Sequence, residues 1–183
     1  MNFVNYRTPL VALMATHLLV FPRATSQEDE AWTILIGEEV FLASVKAVED
    51  GDSLVVDQAG EKYRLHLDGV DAPELTQAFG PQAKAFLLKL VDGKTVTVRL
   101  KARHTREGGE DIARVEVNGD DASTTLLRDG LGWYCAQGAD DRELTRAEKE
   151  ARLAKAGLWS AEKAIPPWQY RGEEACWTES KGG

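Results

Sequence analysis

Cysteine is scarce in this sequence. Among 183 residues only Cys135 and Cys176 occur, and neither has a second cysteine or a histidine at metal-ligand spacing. A zinc finger or zinc ribbon, which needs several thiolate or imidazole ligands in close sequence pairs, is thereby excluded. Nor does a histidine stand near Cys135 in sequence to act as base for a thiol nucleophile. Long apolar runs are missing as well. After the first 26 residues no segment approaches the about 20 apolar residues that a membrane-spanning helix requires. Positive charge is in the minority, with 22 Lys and Arg against 30 Asp and Glu and a formal net charge of -8. Such a surface opposes non-specific attraction to nucleic acid, although a local basic groove can exist inside an acidic whole. Internal repeats are absent, and low complexity is confined to the terminal Lys181-Gly182-Gly183.

The N-terminus has the organisation of a signal peptide. Met1 to Arg7 carries a single positive charge, Thr8 to Phe21 is mostly apolar, and Ala24-Thr25-Ser26 offers the small residues of a cleavage site. Residues 1–26 are expected to direct export to a periplasmic or extracellular compartment and to be removed. The alternative is an uncleaved anchor, because the basic region is weak and Thr16, His17 and Pro22 interrupt the apolar pattern. Taking Arg7 and Arg23 from the 22 basic residues leaves 20 against 30 acidic ones in the mature part, a charge of -10. An exported chain meets an oxidising environment. Cys135 and Cys176 are therefore expected to form a disulfide that ties the C-terminal tail to the segment around Trp133-Tyr134.

Order is expected from Trp32 onward. Val40 to Val48 mixes β-branched and aromatic residues ahead of an Asp50-Gly51 turn and reads as a strand, and Leu54-Val55-Val56 reads as a second. Lys62 to Asp68 alternates strictly, with Tyr63, Leu65 and Leu67 on one face and Arg64, His66 and Asp68 on the other. That pattern puts Arg64 and His66 on the polar side of a half-buried strand. From Phe79 the period becomes helical: Ala83, Phe86, Leu87, Leu90 and Val91 recur, Pro81 suits a first turn, and Asp92-Gly93 ends the run. Thr95 to Leu100 and Ile112 to Val117 read as fourth and fifth strands, with Lys101 to Asp111 as an exposed hairpin loop.

Two helices follow. A short one is capped by Asp120 or Asp121 and anchored by Leu126, Leu127 and Leu131. A longer one covers about Arg142 to Lys155, with Leu144, Ala147, Ala151, Ala154 and Leu158 on one stripe and Gly157 as its stop. Pro166-Pro167-Trp168 then begins a tail wrapped on the body. The economical architecture is mainly β with helices: a small closed five-stranded β-barrel with three α-helices. It forms one domain over residues 32–171, with a tail, 172–183, tethered through Cys176.

Two acidic elements stand beside the expected third strand, Asp50-Gly51-Asp52-Ser53 and Asp68-Gly69-Val70-Asp71-Ala72-Pro73-Glu74, close enough to share one pocket. Asp52, Asp71, Glu74 and nearby carbonyls are the kind of oxygen donors that a hard divalent cation takes. A carboxylate beside such a cation can also hold and deprotonate a water. A phosphate diester further needs positive charge or donors where negative charge develops in its transition state, and these are hard to find here. For Asp50 to Ser53 taken alone, a solvated turn is the bland alternative.

These elements occur together with Phe79-Gly80-Pro81-Gln82-Ala83, Leu126-Leu127-Arg128-Asp129-Gly130-Leu131, Glu150-Ala151-Arg152, Gly157-Leu158-Trp159 and Pro167-Trp168-Gln169-Tyr170-Arg171. As a set they resemble the staphylococcal (thermo)nuclease family over roughly Phe41 to Arg171. The Gly-Val-Asp-Ala-Pro-Glu element is specific, and the ending is similar to that of exported bacterial members. The resemblance implies an oligonucleotide-binding (OB) type, SNase-like five-stranded barrel with three helices. In active members it implies calcium-dependent hydrolysis of DNA and RNA phosphodiesters. It assigns Asp52, Asp71 and the Ala72 carbonyl to Ca2+, or to another divalent cation in its place. Glu74 would orient or deprotonate the attacking water.

Active members also grip the phosphate with two arginines. The first stands five residues before the aspartate of the Asp-Ala-Pro-Glu element, where this chain has His66. The second ends an Asp-Arg-Tyr-Gly-Arg loop, and the matching stretch, Arg106-Glu107-Gly108-Gly109-Glu110, places Glu110 there. A histidine with an ordinary pKa near 6.5 is largely neutral at neutral pH and supplies only part of the lost charge. A carboxylate at the second position repels phosphate. Arg64, one same-face step of about 6 to 7 Å before His66, joins His66 and Glu74 as a candidate catalytic residue. Arg103 and Arg106 are candidate compensating cations from the loop, while Arg114, roughly 13 Å along its strand, is too distant. The bland alternatives are a polar strand-surface role for His66 and solvated loop charges for the arginines.

Removing one well-placed transition-state donor commonly costs about 10²- to 10³-fold in rate. The expected function is therefore an exported thermonuclease-like domain with a retained acidic divalent-metal pocket and weak or absent nuclease activity, acting as a metal-, small-ligand- or partner-binding module. The alternatives are an active calcium-dependent nuclease and a structural or interaction module of the cell envelope. Nucleic acid or nucleotide phosphate remains a candidate partner, weakened by the net charge and the missing arginines.

Overall fold

A computed structural model describes residues 32–104, 109–136 and 141–176. The expected signal peptide, Arg106 and the end of the tail, 177–183, lie outside the described residues. In chain order the elements are β1 (Trp32–Val48), β2 (Ser53–Gln58), β3 (Glu61–Leu67), the two-residue β4 (Val70–Asp71) and helix α1 (Gly80–Val91). They continue with β5 (Thr95–His104), β6 (Asp111–Val117), the short β7 (Asp120–Asp121), α2 (Ala122–Arg128) and the short β8 (Trp133–Tyr134). Helix α3 (Arg142–Ala154), a 3-10 turn (Gly157–Ser160) and α4 (Pro167–Arg171) complete the fold.

The long strands lie in the order β3-β2-β1-β5-β6, and β6 returns to pair with β3, so the sheet closes into a five-stranded barrel. All neighbouring pairs are antiparallel except the closing one, where Leu65, His66 and Leu67 run parallel to Asp111, Ile112 and Ala113. Closure leaves no open edge among these strands, and the small radius is reached by bending β1, whose register with β2 shifts between Val45 and Ala47. Leu54, Val56, Leu65, Leu67, Val96, Val98, Ala113 and Val115 fill the interior and are fully buried or nearly so. Leu87 and Val91 of α1 and Leu126 and Leu127 of α2 join that same core.

The expected barrel is present, and the differences in detail have local causes. β1 begins at Trp32 rather than Val40 because it continues along β5, where Trp32, Thr33 and Ile34 pair with His104, Arg103 and Ala102, and it bridges two strands by pairing Ser44–Val48 with β2. Helix α2 takes Asp121 as its cap, with the carboxylate accepting the Thr124 N–H. α3 ends at Ala154 with Lys155 in the left-handed region, and Ala154 itself is exposed. The described helices number four rather than three. α4 forms where a tail was expected, because Pro167 occupies its first turn and needs no hydrogen-bond partner there. That segment does wrap on the body: Trp168 meets Trp133 edge to face at 6.4 Å between ring centroids. The expected disulfide joins Cys135 to Cys176, with 6.0 Å between the Cα atoms.

Candidate functional site

The first acidic element is a turn shaped by its own side chains. Asp50 Oδ1 accepts the N–H groups of Asp52 at 3.1 Å and Ser53 at 2.7 Å, a side-chain mimic of a backbone turn. Gly51 is required at its tip, since a Cβ there would lie 2.6 Å from the Ala72 Cβ and 2.7 Å from that of Ala83. The turn drives Asp52 inward, where its Oδ2 accepts the Ala72 N–H. The Leu67 N–H, donated to the Asp52 carbonyl at 2.8 Å, ties the turn to the end of β3.

The second element follows β3 directly. β4 pairs with β8, setting Asp71 opposite Trp133. Glu74 is then held by the turn that precedes α1: its N–H donates to Gln77 Oε1 at 3.2 Å, and its carbonyl accepts the Gln77 N–H at 2.8 Å. Gly80 allows the helix to begin against this turn, because a Cβ at that position would meet the Glu74 carbonyl oxygen at 1.9 Å. Asp50, Asp52, Ser53, His66, Asp71, Glu74, Glu110 and Arg171 thereby line one cavity of about 260 Å³, with Ala72 and Pro73 in its wall.

His66 lies on the same strand face as Arg64, but it is buried rather than on a wet surface, with 9% exposure. The Asp50–Ser53 turn and Glu110 cover it. Its Nε2 stands 3.2 Å from the Val70 carbonyl. Its Nδ1 faces Ser53 Oγ at 3.4 Å, with Asp52 Oδ1 and Glu110 Oε2 each at 3.7 Å. Burial alone would favour the neutral ring, but the charges of Asp52 and Glu110 and the bond to Val70 outweigh it and raise the His66 pKa to about 9. His66 is therefore a cation at neutral pH in this arrangement, contrary to the neutral histidine expected. Burial pushes Asp52 upward while His66 opposes the shift, and His66 with Arg64 lowers the Glu110 carboxyl.

Arg64 does not enter the cavity lining. Its Nε sits between Glu49 and Glu110 Oε1, the latter at 3.1 Å. Arg103 is also placed elsewhere: it binds both oxygens of Glu39 at 2.8 Å and lies over the Tyr63 ring, 5.4 Å from its centroid. Arg114 pairs with Asp121 at 2.9 Å and Asp141 at 2.8 Å. The structure thus brings together Asp52, His66, Asp71, Ala72, Glu74 and Glu110, and it leaves Arg64 and Arg103 outside.

Sequence reasoning missed the cation that does arrive, Arg171 at the end of α4. Its Nη1 donates to Glu74 Oε1 at 2.7 Å and to Asp71 Oδ1 at 3.2 Å, and its Nη2 donates to Asp71 Oδ2 at 3.1 Å. Paired N–H donation to both oxygens of one carboxylate is the strong form of this contact. Burial raises the Asp71 carboxyl, and Arg171 works against that rise. The only signal in the sequence was the Pro-Trp-Gln-Tyr-Arg string, whose arginine lies 100 residues from Asp71. Asp50 and Ser53 were legible as members of the first acidic element, but without a role at the site.

In chemistry the donor set suits a hard divalent cation, since five carboxylates and the Ala72 peptide surround the cavity against two cations, His66 and Arg171. In arrangement it is drawn around a guanidinium. Both Asp71 oxygens face Arg171, and among the described residues no three carboxylate or imidazole groups converge at metal-ligand spacing.

Comparison with known proteins finds a match over residues 64–161 to the family described as staphylococcal nuclease homologue. The chain is 33% identical over 143 residues to an uncharacterised endonuclease of Escherichia coli O157:H7, covering 77% of this chain and 90% of the relative. It is 35% identical over 154 residues to the protein ParB of Escherichia coli, covering 78% and 82% respectively. A staphylococcal-like nuclease of Arabidopsis thaliana, CAN1, is 32% identical over 111 residues, which are 61% of this chain and 34% of that protein. The chain spans about a third of the length of the plant relatives it matches.

Proposed function

The chain belongs to the staphylococcal nuclease homologue family, and from that premise we propose that its acidic cavity is a cation-holding phosphodiester site with weak or absent nuclease activity. The observation that carries this reading is the pair His66 and Glu110. In this reading the two take the positions of the phosphate-gripping arginines that the family resemblance implies, and they face each other at 3.7 Å beside Ser53. A charged His66 directed at Asp52 and Glu110 is already engaged by carboxylates, and Glu110 adds negative charge on the side from which a phosphate would be held. Relatives named as nuclease and endonuclease support the reaction class.

In this reading Asp52, Asp71 and the Ala72 carbonyl would hold a divalent cation, for which Ca2+ is the first candidate, and that ion would supply charge to a phosphate oxygen when bound. Glu74, at the rim with 36% of its side chain exposed, would orient a water toward phosphorus. Ser53 Oγ donates within the carboxylate group, keeping Glu110 and Asp52 in register with His66. Residency in an oxidising compartment, where the Cys135–Cys176 bond would persist, is part of the same proposal.

The test is cleavage of single- and double-stranded DNA and RNA by the purified chain, with calcium, other divalent ions and chelator. The expected result is little or no turnover in the wild type. His66→Arg with Glu110→Arg is expected to gain about 10²-fold or more. A wild type that already matches the double variant would defeat the reading. One observation favours a second: the cavity does contain two cations, His66 and Arg171, and an active phosphodiesterase could use them in place of the arginines. Metal-dependent cleavage by the wild type, lost in Glu74→Gln and in Arg171→Met, would select it.

A further inference from the structure

The C-terminal segment is fastened around the cavity. Gln77 Nε2 donates to the Ile165 carbonyl, and Tyr170 Oη lies 3.1 Å from Thr76 Oγ1. Trp168 packs on Trp133, which is the strand partner of Asp71. Cys176 is bonded to Cys135, whose N–H donates to the Gly69 carbonyl at 3.1 Å. Thr76 and Gln77 follow Glu74 closely in the chain, and Gly69 precedes Asp71 by two residues. Every anchor of the segment therefore lies beside Asp71 or Glu74, the two cavity carboxylates that Arg171 binds, its third partner Glu173 lying within the segment itself.

We propose that residues 165–176 are an autoinhibitory strap: Arg171 takes the cation's place on Asp71 and Glu74, and the Cys135–Cys176 disulfide is the latch that keeps it there. This rests on the reading of the cavity as a cation site. The same carboxylate oxygens cannot serve a guanidinium and a divalent cation at once. An external cation binds the strap-open molecules, and its apparent affinity is reduced by the fraction of molecules that are open. Tethering holds a short segment at an effective concentration of about millimolar or above near its partner. Cys176 follows Arg171 by only five residues, so cutting the disulfide leaves the strap to α4 and its non-covalent contacts.

Calcium titration calorimetry on the full chain decides this, comparing oxidised wild type, fully reduced wild type, Arg171→Met, and Arg171→Met with Asp71→Asn. Arg171→Met is expected to bind about 10- to 100-fold more tightly than the oxidised wild type. Reduction is expected to move the wild type the same way by a smaller factor, and adding Asp71→Asn to abolish the gain. Equal affinity of oxidised wild type and Arg171→Met, both binding, overturns the strap and leaves the cation site standing. Binding by none of the proteins overturns the cation site itself, and the strap with it. Should Arg171→Met fail to fold, the wild type alone suffices: an affinity unchanged after complete reduction, verified by thiol titration, overturns the latch.

Discussion

Arg114 bridges two carboxylates and Arg171 three, Asp71, Glu74 and Glu173, yet the two clusters are built for different ends. Arg114 joins Asp121 and Asp141. Both of those already cap helices: Asp121 accepts the Thr124 N–H at 2.7 Å, and Asp141 accepts those of Glu143 at 2.9 Å and Leu144 at 3.3 Å. The arginine completes a joint between α2, α3 and β6, in the wall of a smaller cavity of about 170 Å³. Arg171 joins Asp71 and Glu74, which line a cavity, and it reaches them from the far end of the chain. The same pairing thus joins helix ends in one cluster, and in the other it ties the end of the chain to the carboxylates of the candidate site.

The largest test of that contrast removes the latch. The disulfide closes a separation of 41 residues, for which chain entropy gives roughly 3 to 4 kcal/mol of stability. Cys176→Ser should lose most of that in urea unfolding, and a loss below about 1 kcal/mol would show that the bond holds only a freely fraying end.

Next in size is the structural cluster. Arg114→Met should cost about 2 to 3 kcal/mol, because it strands two partly buried carboxylates. Arg171→Met should cost about 1 kcal/mol or less, because its guanidinium is one-third exposed and the cavity can admit water in its place. Equal costs for the two arginines would erase the distinction between the clusters.

A pH titration separates them in a second way. The Leu144 and Glu143 N–H groups and Arg114 hold the Asp141 carboxyl below its usual range, overcoming an opposing effect of burial. A depressed folded-state pKa contributes stability above the unfolded value, near 3.9, and that contribution disappears as pH falls through the lower folded value. Wild-type stability should therefore drop further in acid than that of Asp141→Asn, which keeps the cap but not the charge. Parallel curves from pH 6 to pH 2 would remove Asp141 from the account.

Much of the barrel could be read in advance because its signals are local. The alternation at Tyr63, Leu65 and Leu67 marks the core face of β3, Pro81 and Asp92-Gly93 bracket α1, and Asp120-Asp121 marks the cap of α2. What escaped were pairings of high sequence separation. No pattern in β3 or β6 announces that they run parallel, since alternation records which face is buried and not which neighbour is beside it. His66 shows the same limit within one residue. Its position on the polar face was legible, but its burial was not, because the cover comes from Ser53 and Glu110 rather than from β3. Arg171 is the extreme case: beside its local pairing with Glu173 at 2.9 Å, its role at the cavity depends on a contact made 100 residues away.

By itself the sequence determined the closed barrel, the paired acidic elements and the two cysteines available to join. These follow from side-chain period, turn chemistry and residue identity, which act over a few positions. Only the tertiary structure decided the electrostatic state of the site. It packed two carboxylates against His66 until the ring is charged, and it carried the end of the chain back across the cavity to set Arg171 on Asp71 and Glu74. Charge energies depend on distance through space and on exclusion of water, and neither is set by spacing along the chain.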